Sequence, residues 1–323
     1  MLLVSSGRLR ELVPMGAAIE AVRAAFVLSS SGTFEQPTRL ALKGGRALAM
    51  LAADSGDIGT VLKAITVRPD NPQRGLPAVQ AVVVWFDGAS GTATALIDGT
   101  TLTALRTGAA SGVATDLLAR PDATVLAMIG TGGQAADQVR AVCAVREIRH
   151  VRVASRHLEH AREFAARLGR ELAPVAVSAT DVRRALVGAD VVCTATTSTE
   201  PLFRASDLSP DVHVNAIGAY TAAMCELPPD LLAGAAIVAV DAIDAAMVEA
   251  GDLLRAIREG ALRRDRLVEI GDLLARPRPR QDGRTVFKSV GVAAQDWAVA
   301  RLAVERATAA GDLRAGDLRS EGP

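Results

Sequence analysis

Apolar residues recur at helical spacing from Met15 to Ser29, with Ala18, Ile19, Val22, Ala25 and Phe26 on one side, and Gly32 closes the run. Short β-like runs follow: Arg39-Leu-Ala-Leu42, Ala47-Leu-Ala-Met-Leu51, Thr60 to Val67 and Val79 to Phe86. Turn clusters such as Asp54-Ser-Gly-Asp57 and Asp87-Gly-Ala-Ser-Gly91 separate them. This pattern predicts a mostly antiparallel sheet preceded by one helix. Leu105 to Ala119 reads as a further helix, and Arg120-Pro-Asp122 as a break.

From Thr124 the texture changes. Strand, glycine turn, helix, strand and helix alternate, with strands expected at Thr124–Ile129, Val151–Ala154, Val191–Ala195, Val212–Ala216 and Ile237–Val240. Alternation with apolar, β-branched strands predicts a parallel sheet wound through crossover helices. Pro277 to Gly283 reads as a polar, proline-rich loop, Gly291 to Ala310 as a last amphipathic helix, and the tail beyond as frayed. The expected fold is α/β, a Rossmann-type doubly wound sheet plus an α+β substrate-binding and dimerisation domain. The expected domains are residues 1–120, joined by a C-terminal helix over about 299–323, and 121–298.

Composition narrows the class. The 323 residues are half apolar but only 3% aromatic, so Ala, Val and Leu carry the packing, which suits helices on a parallel sheet. Basic and acidic residues number 36 each, so no global charge draws the chain to nucleic acid or to a membrane surface. No apolar run reaches the roughly 20 residues of a membrane span, and Met1 to Arg10 lacks a secretory pattern. Cys143, Cys193 and Cys225 follow no metal or disulfide spacing and read as free thiols in a reducing cytoplasm. No metal site is expected; His150, His157, His160 and His213 read as surface or strand-end residues.

The chemistry starts at Gly130-Thr131-Gly132-Gly133-Gln134-Ala135. This turn follows a strand and opens a helix, Ala135 to Val145. Gly130 allows the tight turn, Gly132 lets backbone approach a pyrophosphate, and Ala135 allows close helix–strand packing. The exposed helix N–H groups and dipole favour the phosphates. The second strand ends at Ala154-Ser155-Arg156-His157, without the acid that binds an NAD ribose. Ser155 and Arg156 can instead bind a 2′-phosphate, or Arg156 is a solvated helix-start residue. NADP(H) is therefore the preferred cofactor, with NAD(H) possible. Three cations stand in suggestive settings: Arg39, Lys63 inside an apolar strand, and Arg106, read as opening an Ala-rich helix. Together they suggest a pocket for a carboxylate.

Nearly the whole chain resembles the ornithine cyclodeaminase/μ-crystallin family. The matching stretches are Gly59 to Lys63, Leu96 to Ala110, the Gly130 turn, Val214-Asn-Ala-Ile-Gly-Ala219 with Glu226-Leu227, and Thr285 to Gly291 with Gln295-Asp296. The resemblance implies a homodimer joined through first-domain sheets and an active site in the cleft between domains. It also implies Arg39 and Arg106 on the substrate carboxylate and Lys63 near the reacting carbon. Thr196, Thr197, Ser198, Gly218, Val290 and Gly291 would line the nicotinamide and its ribose. Cyclodeaminases and the archaeal alanine dehydrogenases of the family carry an aspartate where this chain has Tyr220, and cyclodeaminases also carry a glutamate where it has Met50. Ketimine-reductase members also lack that aspartate, and their late signature is closer to Val286-Phe-Lys-Ser-Val-Gly-Val292. Their usual Pro and Arg before Glu-Leu are Ala222 and Cys225 here.

The resulting reading is an NAD(P)H-dependent reductase of cyclic α-imino acids such as pyrroline-2-carboxylate or piperideine-2-carboxylate. The alternatives are an ornithine or lysine cyclodeaminase, an amino-acid or opine-type dehydrogenase, and a non-catalytic NADPH-binding protein. Lys63 acts as an electrostatic anchor or as a proton shuttle. Tyr220 donates its hydroxyl or fills space. Lys288 approaches the cofactor or is structural. A dimer is expected because both faces of Val79 to Phe86 are apolar: one can pack on the Met15 helix and the other needs a second copy.

Overall fold

The computed structural model describes residues 1–42, 44–276 and 282–312. It divides into two compact units, Met1–Arg106 with the chain from Val292 onward, and Thr107–Gly291.

The first unit carries strands β1 (Leu2–Val4), β2 (Phe34–Glu35), β3 (Leu40–Leu42), β4 (Ala47–Asp54), β5 (Gly59–Val67), β6 (Val79–Asp87) and β7 (Ala93–Asp98), with helices α1 (Ser6–Leu12) and α2 (Met15–Ser30). The sheet order is β1-β7-β6-β5-β4-β2, with β3 also on β4. All pairs are antiparallel except β1 on β7. The inner face rests on the closing helix (Ala293–Ala309), which contacts β4, β5 and β6, and α2 packs on that helix. The expectation that the Met15 helix covers the sheet is therefore corrected: it forms the outer layer. The sheet-facing helix buries mostly alanine, six of its ten buried residues, together with Val299, Trp297, Gln295 and Asp296, and the short alanines let it lie close to the strands.

The opposite face has no covering element among the described residues. Leu51, Leu62, Val84 and Leu96 stand in register across β4, β5, β6 and β7. Leu51 is 42% exposed, and Leu40 and Leu42 on β3 are 59% and 53% exposed.

Helix α3 spans Gly99–Leu118, six residues earlier than the apolar pattern predicts. Asp98 ends β7 and accepts the Thr101 N–H at 2.7 Å, capping the helix. Its first four turns are almost wholly buried, so it shows no amphipathic stripe to mark its start. Arg106 consequently sits two turns inside the helix rather than opening it.

The second unit holds an eight-stranded sheet, all parallel. Its strands are β8 (Val125–Ile129), β9 (His150–Ala154), β10 (Ala176–Thr180), β11 (Val191–Thr194), β12 (His213–Ala216), β13 (Ile237–Val240), β14 (Leu267–Glu269) and β15 (Thr285–Lys288). The order β10-β9-β8-β11-β12-β15-β13-β14 reverses between β8 and β11, the crevice where dinucleotides bind in such sheets. Crossover helices include α4 (Ala135–Val145) and α5 (Leu158–Glu171). Along β8, Ala127 and Ile129 enter one core cluster while Leu126 and Met128 enter the other. Both faces are thus buried, which is why these strands read as continuous apolar runs.

Strands β10, β14 and β15 escape the sequence reading. Ala-Val-Ser-Ala-Thr in β10 is a partly exposed edge with little apolar signal, and β15 was legible only as a family stretch. His213 opens β12 and is fully buried, bonded to Thr285 and Asn215. The expected proline-rich loop falls largely on residues 277–281, and the frayed tail and the end of the expected C-terminal helix on residues 313–323, all outside the described residues.

Candidate active site

Lys63 lies at the middle of β5 and is completely buried. Its cross-strand neighbours are Met50 on β4 and Val83 on β6, so no charge flanks it within the sheet. Its partner comes from the closing helix: Asp296 Oδ1 accepts from Lys63 Nζ at 2.6 Å. The same oxygen forms an ion pair with Arg106 Nε at 3.1 Å, and Arg106 Nη1 donates to the Gln295 side-chain oxygen. Arg106 is 5% exposed and Asp296 fully buried. Three elements, β5, α3 and the closing helix, therefore converge on one carboxylate.

Burial pushes the Lys63 ammonium down to about 7. Arg106 pushes the same way, Asp296 opposes through charge and hydrogen bond, and Arg39 adds a weaker push downward. Arg39 sits half-buried in the segment before β3. Both arginines singled out in the sequence thus act on Lys63. The residue missed is Asp296, the anion that Lys63 and Arg106 share; its sequence signal was its place in a matched stretch.

The helix that brings Asp296 is fixed at its start. Gln36 Oε1 accepts the Ala294 N–H at 3.0 Å, and Trp297 Nε1 donates to Gly59 O at 2.8 Å, at the start of the strand that bears Lys63.

In the second unit the glycine turn follows β8 and opens α4. Gly130 has φ +108°, and a Cβ there would lie 2.4 Å from Ala195 O, so glycine is required twice over. A Cβ on Gly132 or Gly133 would meet nothing within 4 Å; no protein neighbour demands those glycines. Bare backbone at the start of an 11-residue helix fits a dinucleotide pyrophosphate. Ala135 is fully buried in the third position. At the end of β9, Ser155 is half-buried beside Thr131, with hydroxyls 3.5 Å apart, and Arg156 is exposed.

Thr196, Thr197 and Ser198 follow β11, and Gly218 and Tyr220 follow β12, so both loops leave the strand ends next to the switch point. A Cβ on Gly218 would lie 2.4 Å from Thr196 N and O. Glu226 ties the two loops together: it accepts from Thr194 Oγ1, Thr196 N and Oγ1, and Gly218 N at 2.7–2.9 Å. Burial pushes Glu226 above the ordinary carboxyl range, and nearby Lys288 pulls it back. Lys288 is fully buried, donating to Ala219 O at 2.6 Å and pairing with Asp252 at 3.0 Å. Both contacts brace the loop after β12 that carries Ala219. Val290 and Gly291 donate backbone N–H groups to Asp241 Oδ2 at 3.0 and 2.6 Å. Tyr220 is half-buried in its loop. The three cysteines are free, and burial pushes the Cys193 thiol up to about 12.

A family model described as the ornithine cyclodeaminase/mu-crystallin family matches residues 2–311. A Δ1-pyrroline-2-carboxylate reductase of Bacillus cereus (strain ATCC 10987 / NRS 248) is 36% identical over 319 residues, covering 96% of this chain and 98% of that protein. The structure of the Thermococcus litoralis Δ1-pyrroline-2-carboxylate reductase in complex with NADH and L-proline superposes with a TM-score of 0.91 at 32% identity, over 96% of this chain and 98% of that one. An archaeal alanine dehydrogenase dimer with bound NAD gives 0.88 at 30% identity, over 96% and 97% of the two chains.

Proposed function

The chain belongs to the ornithine cyclodeaminase/mu-crystallin family, and on that premise we propose that it is an NAD(P)H-dependent reductase of cyclic α-imino acids of the pyrroline-2-carboxylate or piperideine-2-carboxylate type. The observation that carries this reading is the buried Lys63–Arg106–Asp296 cluster: two cations, with Arg39 acting from nearby, on a single carboxylate. The surplus positive charge suits a substrate carboxylate, and Met50 stands beside Lys63 where a cyclodeaminase has an acid.

Arg39 and Arg106 hold the substrate carboxylate, and holding it orients the C=N bond, so most of the acceleration is positioning. The glycine turn from Gly130 to Ala135 holds the dinucleotide phosphates, Thr196 to Ser198, Gly218, Val290 and Gly291 line the nicotinamide end, and a reduced nicotinamide, when bound, supplies the hydride. Lys63, titrating near 7, holds the carboxylate as an ammonium and gives a proton to the nitrogen when the imine arrives neutral. A preformed ring imine needs only this hydride and one proton. Building an amino acid from a keto acid and ammonia also needs water loss from a carbinolamine, and here Tyr220, a phenol in place of a carboxylic acid, stands where the acid that serves it is found.

Ser155 and Arg156 favour NADP(H) over NAD(H). The bare face bearing Leu51, Leu62, Val84 and Leu96 pairs two copies into a homodimer. Three free cysteines suit the cytoplasm.

The test is NADPH oxidation across cyclic imines and across keto acids with ammonia. We expect kcat/KM for pyrroline- or piperideine-2-carboxylate to exceed that for pyruvate with ammonia by on the order of 100-fold, the contribution of general acid–base help. Efficient pyruvate amination, or ammonia release from ornithine, would overturn the reading.

A further inference from the structure

The first turn of the closing helix sends two consecutive side chains to one guanidinium: Gln295 accepts a hydrogen bond from Arg106 Nη1, and Asp296 Oδ1 forms an ion pair with Arg106 Nε at 3.1 Å without a hydrogen bond. Asp296 Oδ1 at the same time takes the Lys63 ammonium. Among the described residues, Asp296 is therefore the carboxylate that pairs with two buried cations arriving from different elements. Its other oxygen, Oδ2, and Gln295 Nε2 are buried without a hydrogen-bond partner, an arrangement uncommon in a purely structural network. The charged groups that act on Lys63 are Arg106 from α3, Asp296 from the closing helix and Arg39 from the segment before β3; the strands flanking it offer Met50 and Val83.

The choice of lysine matters. The chain has three lysines, Lys43, Lys63 and Lys288, among 36 basic residues. An ammonium can release its proton when buried, and a guanidinium cannot. Beside Arg106 and Arg39, Lys63 stays charged only with a counter-ion in contact.

We propose that Asp296 is a positioning residue for the reaction: through one carboxylate oxygen it holds Lys63 and Arg106 together as the face that receives the substrate carboxylate, and it favours the ammonium form of Lys63. This rests on the proposed imine reduction for its kinetic consequence, but not for the hold on Lys63 itself. Without the Asp296 charge, Lys63 faces two guanidinium groups and gives up its proton below its present midpoint of about 7, so at neutral pH it loses both its grip on the carboxylate and the proton it passes to nitrogen.

Protein labelled with [ε-13C]lysine gives three side-chain signals to follow by NMR, and Lys63→Met assigns the one from Lys63. In Asp296→Asn, we expect the Lys63 midpoint to fall from about 7 by roughly one pH unit or more, the shift usual on losing a contacting opposite charge. The alkaline limb of kcat/KM for pyrroline-2-carboxylate should move acidward by the same amount. Asp296→Glu, which keeps the charge, should hold the midpoint and the limb near the wild-type positions while lowering kcat/KM. An unmoved midpoint in folded Asp296→Asn overturns the proposal, as does an equal loss of activity in both variants with the limb unmoved. Should Asp296→Asn not fold, the Asp296→Glu midpoint decides: retained, it supports the role, and lowered, it ends it. A wild-type protein that reduces no cyclic imine would defeat the functional reading, while the lysine midpoints would still decide the role of Asp296.

Discussion

A lysine held near 7 inside a protein makes stability depend on pH, and the sign can be worked out for Lys63. In the unfolded chain its ammonium titrates near 10.5, and in the folded chain near 7. Burial is the main cause, with Arg106 adding to it. Between these values the unfolded chain binds the extra proton, so raising the pH favours the folded state. Below pH 7 both states are protonated and the full cost of burying the ammonium is present; above about 10.5 both are neutral and it is gone. The span corresponds to on the order of 5 kcal/mol, with a slope of at most about 1.4 kcal/mol per pH unit. Lys63→Met removes the slope. The offset between the two proteins also contains Asp296 left with Arg106 alone, so the slope of the difference, not the offset, is diagnostic. The readout is built in: both tryptophans, Trp85 and Trp297, lie buried in the same unit as Lys63, with rings 5.7 Å apart. Urea unfolding followed by tryptophan fluorescence at pH 6.5, 8 and 9.5 should show wild type gaining on Lys63→Met by several kcal/mol. A difference that stays flat across that range refutes the reasoning.

Arg156→Ala should raise KM for NADPH by tenfold or more and leave KM for NADH within about twofold, since a hydrogen bond to a charged group contributes about 1.5–3 kcal/mol; equal effects on both would remove Arg156 from the phosphate site. Leu51→Glu places a charge in the middle of the bare apolar row, twice in a symmetric pair, against a contribution of roughly 1.5–3 kcal/mol per buried leucine; light scattering at micromolar concentration should then give a monomer mass where wild type gives a dimer. Gly218→Ala drives a methyl to within 2.4 Å of Thr196 backbone, so the loops must part; thermal shift should show a loss corresponding to about 1–3 kcal/mol and a weakened response to added NADPH, and an unchanged response would place the nicotinamide elsewhere.

What could be read from the sequence follows from how far each signal travels along the chain. The glycine turn was legible because strand, glycines and helix are contiguous, and the positive φ of Gly130 is a local demand that only glycine meets cheaply. The parallel strands were legible because burial on both faces erases alternation. Helix α3 was mistimed because burial on all sides erases its stripe too; only Asp98, a polar residue at a strand end, marked where it began. Lys63 drew attention as a charge in an apolar run. Its counter-ion could not: Asp296 lies 233 residues away, and an acid in the first turn of a helix is ordinary on dipole grounds alone. The same holds for Glu226, whose carboxylate ties loops after two parallel strands. Local sequence thus reveals the groups that look out of place, while the groups that make them tolerable are set by topology. A buried charge met in a sequence is therefore a prediction of a distant partner, and in this chain that partner, Asp296, stands where it governs the charge of the lysine on which the proposed chemistry turns.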